Sequence, residues 1–129
     1  MSTDTDTDTI TNVERSARRW HYQSEPMEPV EMAVGQRVKL DAERRWWTVR
    51  GRAGEVAVLT RQAPFRREGA LEYTVLDWRA GVRGPINSLG QGWDVDTDEQ
   101  CQELAELVRD GKWVVTPRNW LPIVVTVVK

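Results

Sequence analysis

Arginine and tryptophan side chains cluster in the middle of this sequence, and both types serve molecular recognition. A guanidinium group pairs with a carboxylate or phosphate through two parallel hydrogen bonds, and an exposed indole offers a stacking face or an apolar anchor. Residues 34–93 contain eleven basic residues, ten of them arginine, and six acidic residues. We therefore predict that the following residues bind a ligand or partner: Arg45, Trp46, Trp47, Arg50, Arg52, Arg66, Arg67, Trp78, Arg79, Arg83 and Trp93.

The sequence offers little material for catalysis. A nucleophile needs a base that a third group orients. His21 is the only histidine and lies outside the Arg/Trp-rich region, and Cys101 is the only cysteine and falls on the apolar stripe of a predicted helix. A buried structural thiol is the expected state of Cys101. A single cysteine also excludes an intramolecular disulfide and a cysteine-rich zinc site. We predict that the protein is not an enzyme and has no cofactor.

Asp94, Asp96 and Asp98 have the spacing of the first three ligands of an EF-hand calcium loop. The match fails further along, because Glu99 stands where the loop needs glycine and Ala105 where it needs a bidentate glutamate. We therefore interpret these acidic residues as the N-terminal cap of a helix rather than as a metal site.

The elements that must position these residues are mostly strands. Four runs read as strands: one beginning at Val34, one from Trp46 to Val49, one from Glu55 to Arg61 and one from Leu71 to Trp78. Ala53-Gly54 predicts a tight hairpin between the second and third runs. Consecutive strand residues face opposite sides of a sheet, so one of Trp46 and Trp47 should be buried and the other at least partly exposed.

The rest of the pattern predicts a loop, one helix and two more strand-like runs. Residues 79–93 contain too many glycines for either regular period and are interpreted as a shaped loop. Apolar residues at helical spacing, with Thr97 and Gln100 as a capping box, predict a helix at about 98–110. Runs at 113–116 and 121–128 follow, the last of them paired inside the sheet. We predict a mainly β (α+β) fold, an SH3-like barrel or bent antiparallel sheet with one helix.

The ends of the chain differ from its centre. Residues 1–33 carry seven acidic and three basic residues, and residues 2–9 alternate aspartate with threonine or serine. Such a segment buries too little apolar surface to order itself, which predicts a disordered acidic tail and connector at 1–31 and a single domain at 32–129. No apolar run approaches the ~20 residues of a membrane span, and we expect a cytoplasmic protein.

Several segments occur together in the same order as in known proteins. They are VGQRVKL (34–40), ERRWWTVR (43–50), AVLTRQAPF (57–65), YTVLDW (73–78), VRGPINSLGQGW (82–93) and TPRNWLPI (116–123). Over about residues 34–123 the chain resembles small uncharacterised proteins of actinobacterial phages and prophages. The resemblance implies a mobile-element context and no particular reaction.

Three functions remain open from the sequence. The leading hypothesis is a non-enzymatic interaction module, a phage or prophage accessory protein that binds a host or phage protein. The alternative is DNA or RNA binding by the central arginines and a stacking tryptophan. In the third, the acidic tail covers the basic face as an autoinhibitory or nucleic-acid-mimicking arm. Arginines that form a continuous exposed face would favour a polyanion, and arginines paired with Glu43, Glu55, Glu68, Glu72 and Asp77 would favour a structural role.

Overall fold

The fold is mainly β with one helix among the described residues, as the sequence predicts. The computed structural model describes residues 7–11, 28–41, 43–64, 66–87, 94–121 and 124–128, with the backbone alone for 7–11, 87 and 124–128. The strands are β1 (Thr7–Thr11), β2 (Arg37–Leu40), β3 (Trp47–Ala53), β4 (Val56–Gln62), β5 (Leu71–Asp77), β6 (Val82–Gly84), β7 (Ile86–Asn87), β8 (Val114–Val115), β9 (Asn119–Trp120) and β10 (Val124–Val128), and the helix is α1 (Asp98–Arg109).

Eight of these strands form one antiparallel sheet, and a six-stranded part of it curls into a half-barrel. The order is β1-β10-β2-β3-β4-β5-β6-β9, and β7 and β8 pair separately. The sequence allows an SH3-like barrel or a bent sheet, and the structure has the bent sheet. Strand β10 lies between β1 and β2, which confirms that the last apolar run pairs inside the sheet.

The N-terminal region contributes to this sheet. Strand β1 falls within the predicted acidic tail, where Thr7–Thr11 pairs in register with Val124–Val128. Residues 1–6 and 12–27 of that tail, with His21, lie outside the described residues. Further along, the side chains of Val30 and Met32 are buried in the core. The packed domain thus includes Val30, just before the expected start near Met32.

The hairpin between β3 and β4 forms where the sequence places it, and it contains a β-bulge. Gly54 adopts a positive φ of 55° in the turn, a conformation that glycine reaches without a steric penalty. Val49 pairs with Leu59 and Gly51 with Val58, so Arg50 is an extra residue in β3. A bulge exchanges the faces of the residues that follow it. Trp47 and Val49 therefore pack on one face of the sheet, and Ala53 packs on the other.

Each face of the sheet carries its own core. The first contains Trp47, Trp78 and Leu121 together with Val30 and Met32. The second lies under α1, whose Cys101, Leu104, Ala105 and Val108 pack against β3 and β4. The helix begins with the predicted capping box of Thr97 and Gln100, which confirms its start.

Two side chains, those of Gln102 and Arg52, join the β3–β4 hairpin to other segments of the chain. The Gln102 amide of α1 accepts a hydrogen bond from Arg52 N at 2.9 Å and donates one to Arg52 O at 2.8 Å. The Gln102 amide thereby provides hydrogen-bond partners for the backbone N–H and C=O of Arg52, which lies beyond Thr48, the last residue of β3 that pairs with β2. The Arg52 guanidinium donates to the carbonyls of Val30, Met32 and Gly54 and stacks 5.0 Å from the Trp78 ring centroid.

The predicted loop at 79–93 is partly wrong. Residues 82–84 form β6, which pairs with β5 and β9, and residues 86–87 form β7. Gly84 occurs in a strand because a Cβ there would overlap the Thr116 carbonyl oxygen and lie 3.0 Å from Arg118 N. The glycine is thus explained by the close approach of another chain segment rather than by a turn. Residues 88–93 lie outside the described residues.

Candidate functional site: an arginine groove

Most of the arginines predicted to bind a ligand are held by groups of the protein itself. Arg50 donates to Asp98, Thr60 and the Asp96 carbonyl, so one of the three aspartates of the rejected calcium motif is an ion-pair partner. Arg79 pairs with Asp77 and donates to the carbonyls of Val108 and Arg109 at the end of α1. Both arginines therefore tie the helix to the sheet.

The remaining paired arginines meet at two glutamates. Glu43 accepts hydrogen bonds from Trp47 Nε1 at 2.9 Å, Arg61 at 3.2 Å and Arg83 at 3.1 Å. Glu72 accepts from Arg61 at 3.3 Å and from Arg45 at 3.4 Å. The Arg45 guanidinium also donates to the Gln62 carbonyl. This network links the loop before β3 to strands β4, β5 and β6.

The local chain explains how Glu43 reaches the centre of this network. After β2 ends at Leu40, Asp41 takes a φ of 50°, and Glu43 N donates to Leu40 O at 3.0 Å. This tight turn brings the Glu43 carboxylate within reach of the Trp47 indole, four residues later. Arg61 and Glu72 face each other because they are register partners in β4 and β5.

Beside the network lies an open groove of about 360 Å³, which we call the arginine groove. It is lined by Trp47, Arg61, Glu72, Thr74, Arg83 and Arg118, with Asn119 at its edge. The Arg61 guanidinium lies 3.8 Å from the Trp47 ring centroid. Arg118 is exposed, and its side chain has no hydrogen bond or ion pair with any residue that the structure describes. The sequence analysis did not single out Arg118, Thr74 or Asn119.

The tryptophans differ as expected from their register. Trp47 is 2% exposed and Trp78 is 1% exposed, so both belong mainly to the core, although Trp47 also contributes to the groove. Trp46 is half-buried, and its ring lies 5.0 Å from the Arg37 guanidinium and 4.8 Å from Lys39 Nζ. Of these three tryptophans, Trp46 is the one whose ring a partner can reach. Trp93 lies outside the described residues.

Three exposed arginines remain. Arg44 lies in the loop before β3, and Arg66 and Arg67 lie in the loop between β4 and β5. The two loops flank the same end of the sheet, as the Arg45–Gln62 hydrogen bond between them shows. None of the three side chains pairs with a described residue. We call these three exposed side chains at this end of the sheet the basic patch.

Cys101 has the properties of a structural thiol. It is fully buried under the sheet, and its Sγ donates to the Val95 carbonyl at 3.5 Å. Burial raises the pKa of the Cys101 thiol to about 11, so the reactive thiolate is scarce at neutral pH. Within the described ranges, no three His, Cys, Asp or Glu side chains are grouped as a metal site requires. In the same ranges, no helix is long and apolar enough to cross a bilayer.

Glu43 gives the network a pH dependence. Burial alone would raise the pKa of its carboxyl, but the Trp47 hydrogen bond and the charges of Arg83 and Arg61 outweigh burial and lower it below its ordinary value of 4.5. A carboxyl with a lowered pKa stabilises the folded state above the unfolded-state pKa and loses this contribution as the pH falls through the folded-state pKa.

We therefore expect Glu43→Gln to lower the free energy of unfolding by about 1–2 kcal/mol at pH 7, less than for a fully buried ion pair because the Glu43 side chain is 32% exposed. Urea unfolding of both proteins between pH 7 and pH 3 measures the difference. It should begin to shrink as the pH falls below about 4.5, the ordinary pKa of the carboxyl, and should vanish once the pH has fallen through the lowered folded-state pKa, where Glu43 is protonated and neutral in the wild type as well. A difference of the same size at pH 7 and pH 3 would contradict this role of Glu43.

Comparison with protein-family models, curated proteins and solved structures finds no match for this chain.

Proposed function

We propose that this protein is a non-enzymatic interaction module, a phage or prophage accessory protein that binds a host or phage protein in the cytoplasm. The observation that carries the proposal is the arginine groove, which presents Arg83 and Arg118, the latter without a partner among the described residues, beside a buried tryptophan. Arginine and aromatic side chains around a partly desolvated pocket are typical of protein-binding hot spots.

The pairing of the arginines favours a protein partner over a polyanion. Arg45, Arg50, Arg61, Arg79 and Arg83 each contact a carboxylate of the protein, so they do not offer a continuous row of free charges to a phosphate backbone. A nucleic-acid surface needs several such free charges along the backbone.

Trp46 provides a second surface for a partner. Its half-buried ring lies against Arg37 and Lys39 on β2, whose neighbours Val38 and Leu40 belong to the first core. A rigid aromatic ring that is partly solvated contributes contact area with little loss of conformational entropy. A partner therefore has two places to dock, the groove and the Trp46 ring.

Nucleic-acid binding is the second candidate, and a specific observation favours it. Arg44, Arg66 and Arg67 are exposed on neighbouring loops and make no described ion pair. Three such charges suffice for a weak, salt-dependent contact with DNA or RNA. This patch, rather than the paired arginines, would be the place of contact.

Four immobilised baits test both candidates in an actinobacterial lysate: wild type, Trp46→Ala, Arg118→Glu and Lys112→Glu. Lys112 is exposed just beyond α1 and does not line the groove. Lys112→Glu changes the net charge by the same amount as Arg118→Glu and therefore serves as the matched control. Quantitative mass spectrometry should find a protein that wild type and Lys112→Glu retain equally and that Trp46→Ala or Arg118→Glu retains at least about tenfold less.

Equal retention of every protein on all four baits would refute the protein-binding proposal. Nuclease treatment separates the second candidate. If nuclease removes the captured proteins, and Arg66→Glu with Arg67→Glu abolishes capture of labelled nucleic acid at low salt, nucleic-acid binding replaces the leading proposal.

A further inference from the structure

We infer that the arginine groove binds a side-chain carboxylate of an acidic peptide segment in the partner protein. This inference rests on the proposed function and specifies the chemistry of the same site. It follows from the charges, the hydrogen-bond donors, the fixed backbone and the size of the groove.

Positive charge exceeds negative charge at the groove. Four guanidinium groups, those of Arg45, Arg61, Arg83 and Arg118, face the two carboxylates of Glu43 and Glu72. The network therefore keeps an excess of positive charge after its internal pairing. An incoming carboxylate balances part of that excess, whereas an incoming ammonium or guanidinium group adds to it.

The groove also offers hydrogen-bond donors to a ligand. The Arg118 guanidinium has no hydrogen-bond partner among the described residues, and Thr74 and Asn119 line the same space. A guanidinium group gains most from an ionised acceptor, because such hydrogen bonds are stronger than neutral ones.

The backbone holds Arg83 and Arg118 side by side before any ligand arrives. Arg118 N donates to Arg83 O at 3.0 Å, and Thr116 N donates to Pro85 O at 2.7 Å. Gly84 permits this contact because it has no Cβ to strike the Thr116 carbonyl. Since the Glu43 carboxylate fixes the Arg83 side chain, a ligand needs to order only the Arg118 side chain.

The size and composition of the groove select a peptide carboxylate. A volume of about 360 Å³ accepts one or two side chains of an extended segment. Glu43 and Glu72 stand among the arginines, so a chain of closely spaced phosphates would meet repulsion along its length. An acidic residue flanked by small neutral residues meets the arginines without that repulsion.

The experiment titrates the full-length protein with an acetylated, amidated peptide in which four aspartates alternate with glycine. Nuclear magnetic resonance follows the backbone amides, and calorimetry gives the Kd. We expect the amide signals of Arg83, Arg118 and Asn119 to shift, and Arg118→Glu to weaken binding at least about tenfold. Lys112→Glu should leave the Kd unchanged, and the same peptide with asparagine in place of aspartate should not bind.

Three results would overturn the inference. The first is no binding of the aspartate peptide, or equal binding to Arg118→Glu. The second is a shift of the groove amides with inorganic phosphate but not with the peptide, which would assign the site to phosphate. In the third, Asp4→Asn, Asp6→Asn and Asp8→Asn together shift the groove amides without peptide, which would make the chain's own acidic segment the occupant.

These outcomes are separable from the proposed function. A captured protein whose retention depends on Trp46 and not on Arg118 keeps the interaction module and refutes the groove as its carboxylate site. Peptide binding without any captured protein keeps the groove as a carboxylate site and refutes the proposed interaction module.

Discussion

Trp47→Ala is expected to lower the free energy of unfolding by about 3–5 kcal/mol, whereas Trp46→Ala, one residue earlier, should lower it by no more than about 1 kcal/mol. Trp47 is 2% exposed and fills the first core, and its indole donates to Glu43. Its removal leaves a cavity and deprives both Glu43 and Arg61 of a neighbour. Trp46 loses only its contacts with Arg37 and Lys39 at the surface.

Urea unfolding followed by far-ultraviolet circular dichroism measures both losses without relying on the fluorescence of the residues removed. A loss of 3–5 kcal/mol approaches the whole stability of many domains of this size, so Trp47→Phe provides a milder second variant. It keeps the apolar bulk and removes the indole N–H, and we expect a loss of about 1–3 kcal/mol. Equal losses for Trp46→Ala and Trp47→Ala would show that the two rings are not on opposite faces.

Gly51→Ala is expected to destabilise the protein by about 3 kcal/mol, the upper part of the range for overpacked cores. A Cβ at residue 51 would lie 2.6 Å from the Cys101 carbonyl carbon and 2.9 Å from Gln102 N. Both atoms belong to the backbone of α1, so no side-chain rotation relieves the overlap. The helix must move away from the sheet and loosen the packing of Leu104 and Val108 in the second core.

Gly35→Ala is the control for this prediction. Gly35 has a φ of 97°, so alanine there is strained, but a Cβ would meet no atom within 4 Å. Its cost should be that of the backbone conformation alone, about 1–2 kcal/mol. Thermal and urea unfolding compare the two variants directly. If Gly51→Ala proves no more harmful than Gly35→Ala, the close approach of helix and sheet is not what requires glycine.

Local patterns explain the parts of the fold that the sequence predicts well. The capping box of Thr97 and Gln100 and the apolar stripe through Cys101 define α1 within a residue of its observed end. Ala53-Gly54 marks the hairpin, and the alternation of faces separates Trp46 from Trp47. In each case the determining residues are close together in the sequence, so period and turn chemistry suffice.

The bulge at Arg50 has no such local signal, and it changes the site. Without it, Arg50 and Arg52 would share a face of β3. With it, Arg50 faces α1 and bonds Asp98, and Arg52 faces the first core and holds residues 30–32. Both arginines were predicted to bind a ligand. Asp98 lies 48 residues from Arg50 and Val30 lies 22 residues from Arg52, and only the folded chain brings them together.

The groove was only half visible in the sequence. Arg45, Arg83, Glu43 and Glu72 were recognised as charges that could pair. Arg118 lies between the predicted strand-like runs at 113–116 and 121–128, and it meets Arg83 because β6 and β9 are neighbours. Strand β6 is not predicted, because the glycines of residues 79–93 obscure the strand period. The pairing of two- and three-residue strands depends on long-range contacts, which a periodic pattern of apolar residues does not predict.

The place of β10 between β1 and β2 sets the order in which this protein can fold during synthesis. Residues 37–40 leave the ribosome more than 80 residues before residues 124–128, which pair with them. Until then, β2 keeps an unpaired backbone edge, of the kind that can pair with other chains. The β3–β4–β5 meander closes from neighbouring residues and can form first. A nascent chain stalled before residue 124 would therefore contain this meander, the helix and an open edge at Val38 and Leu40.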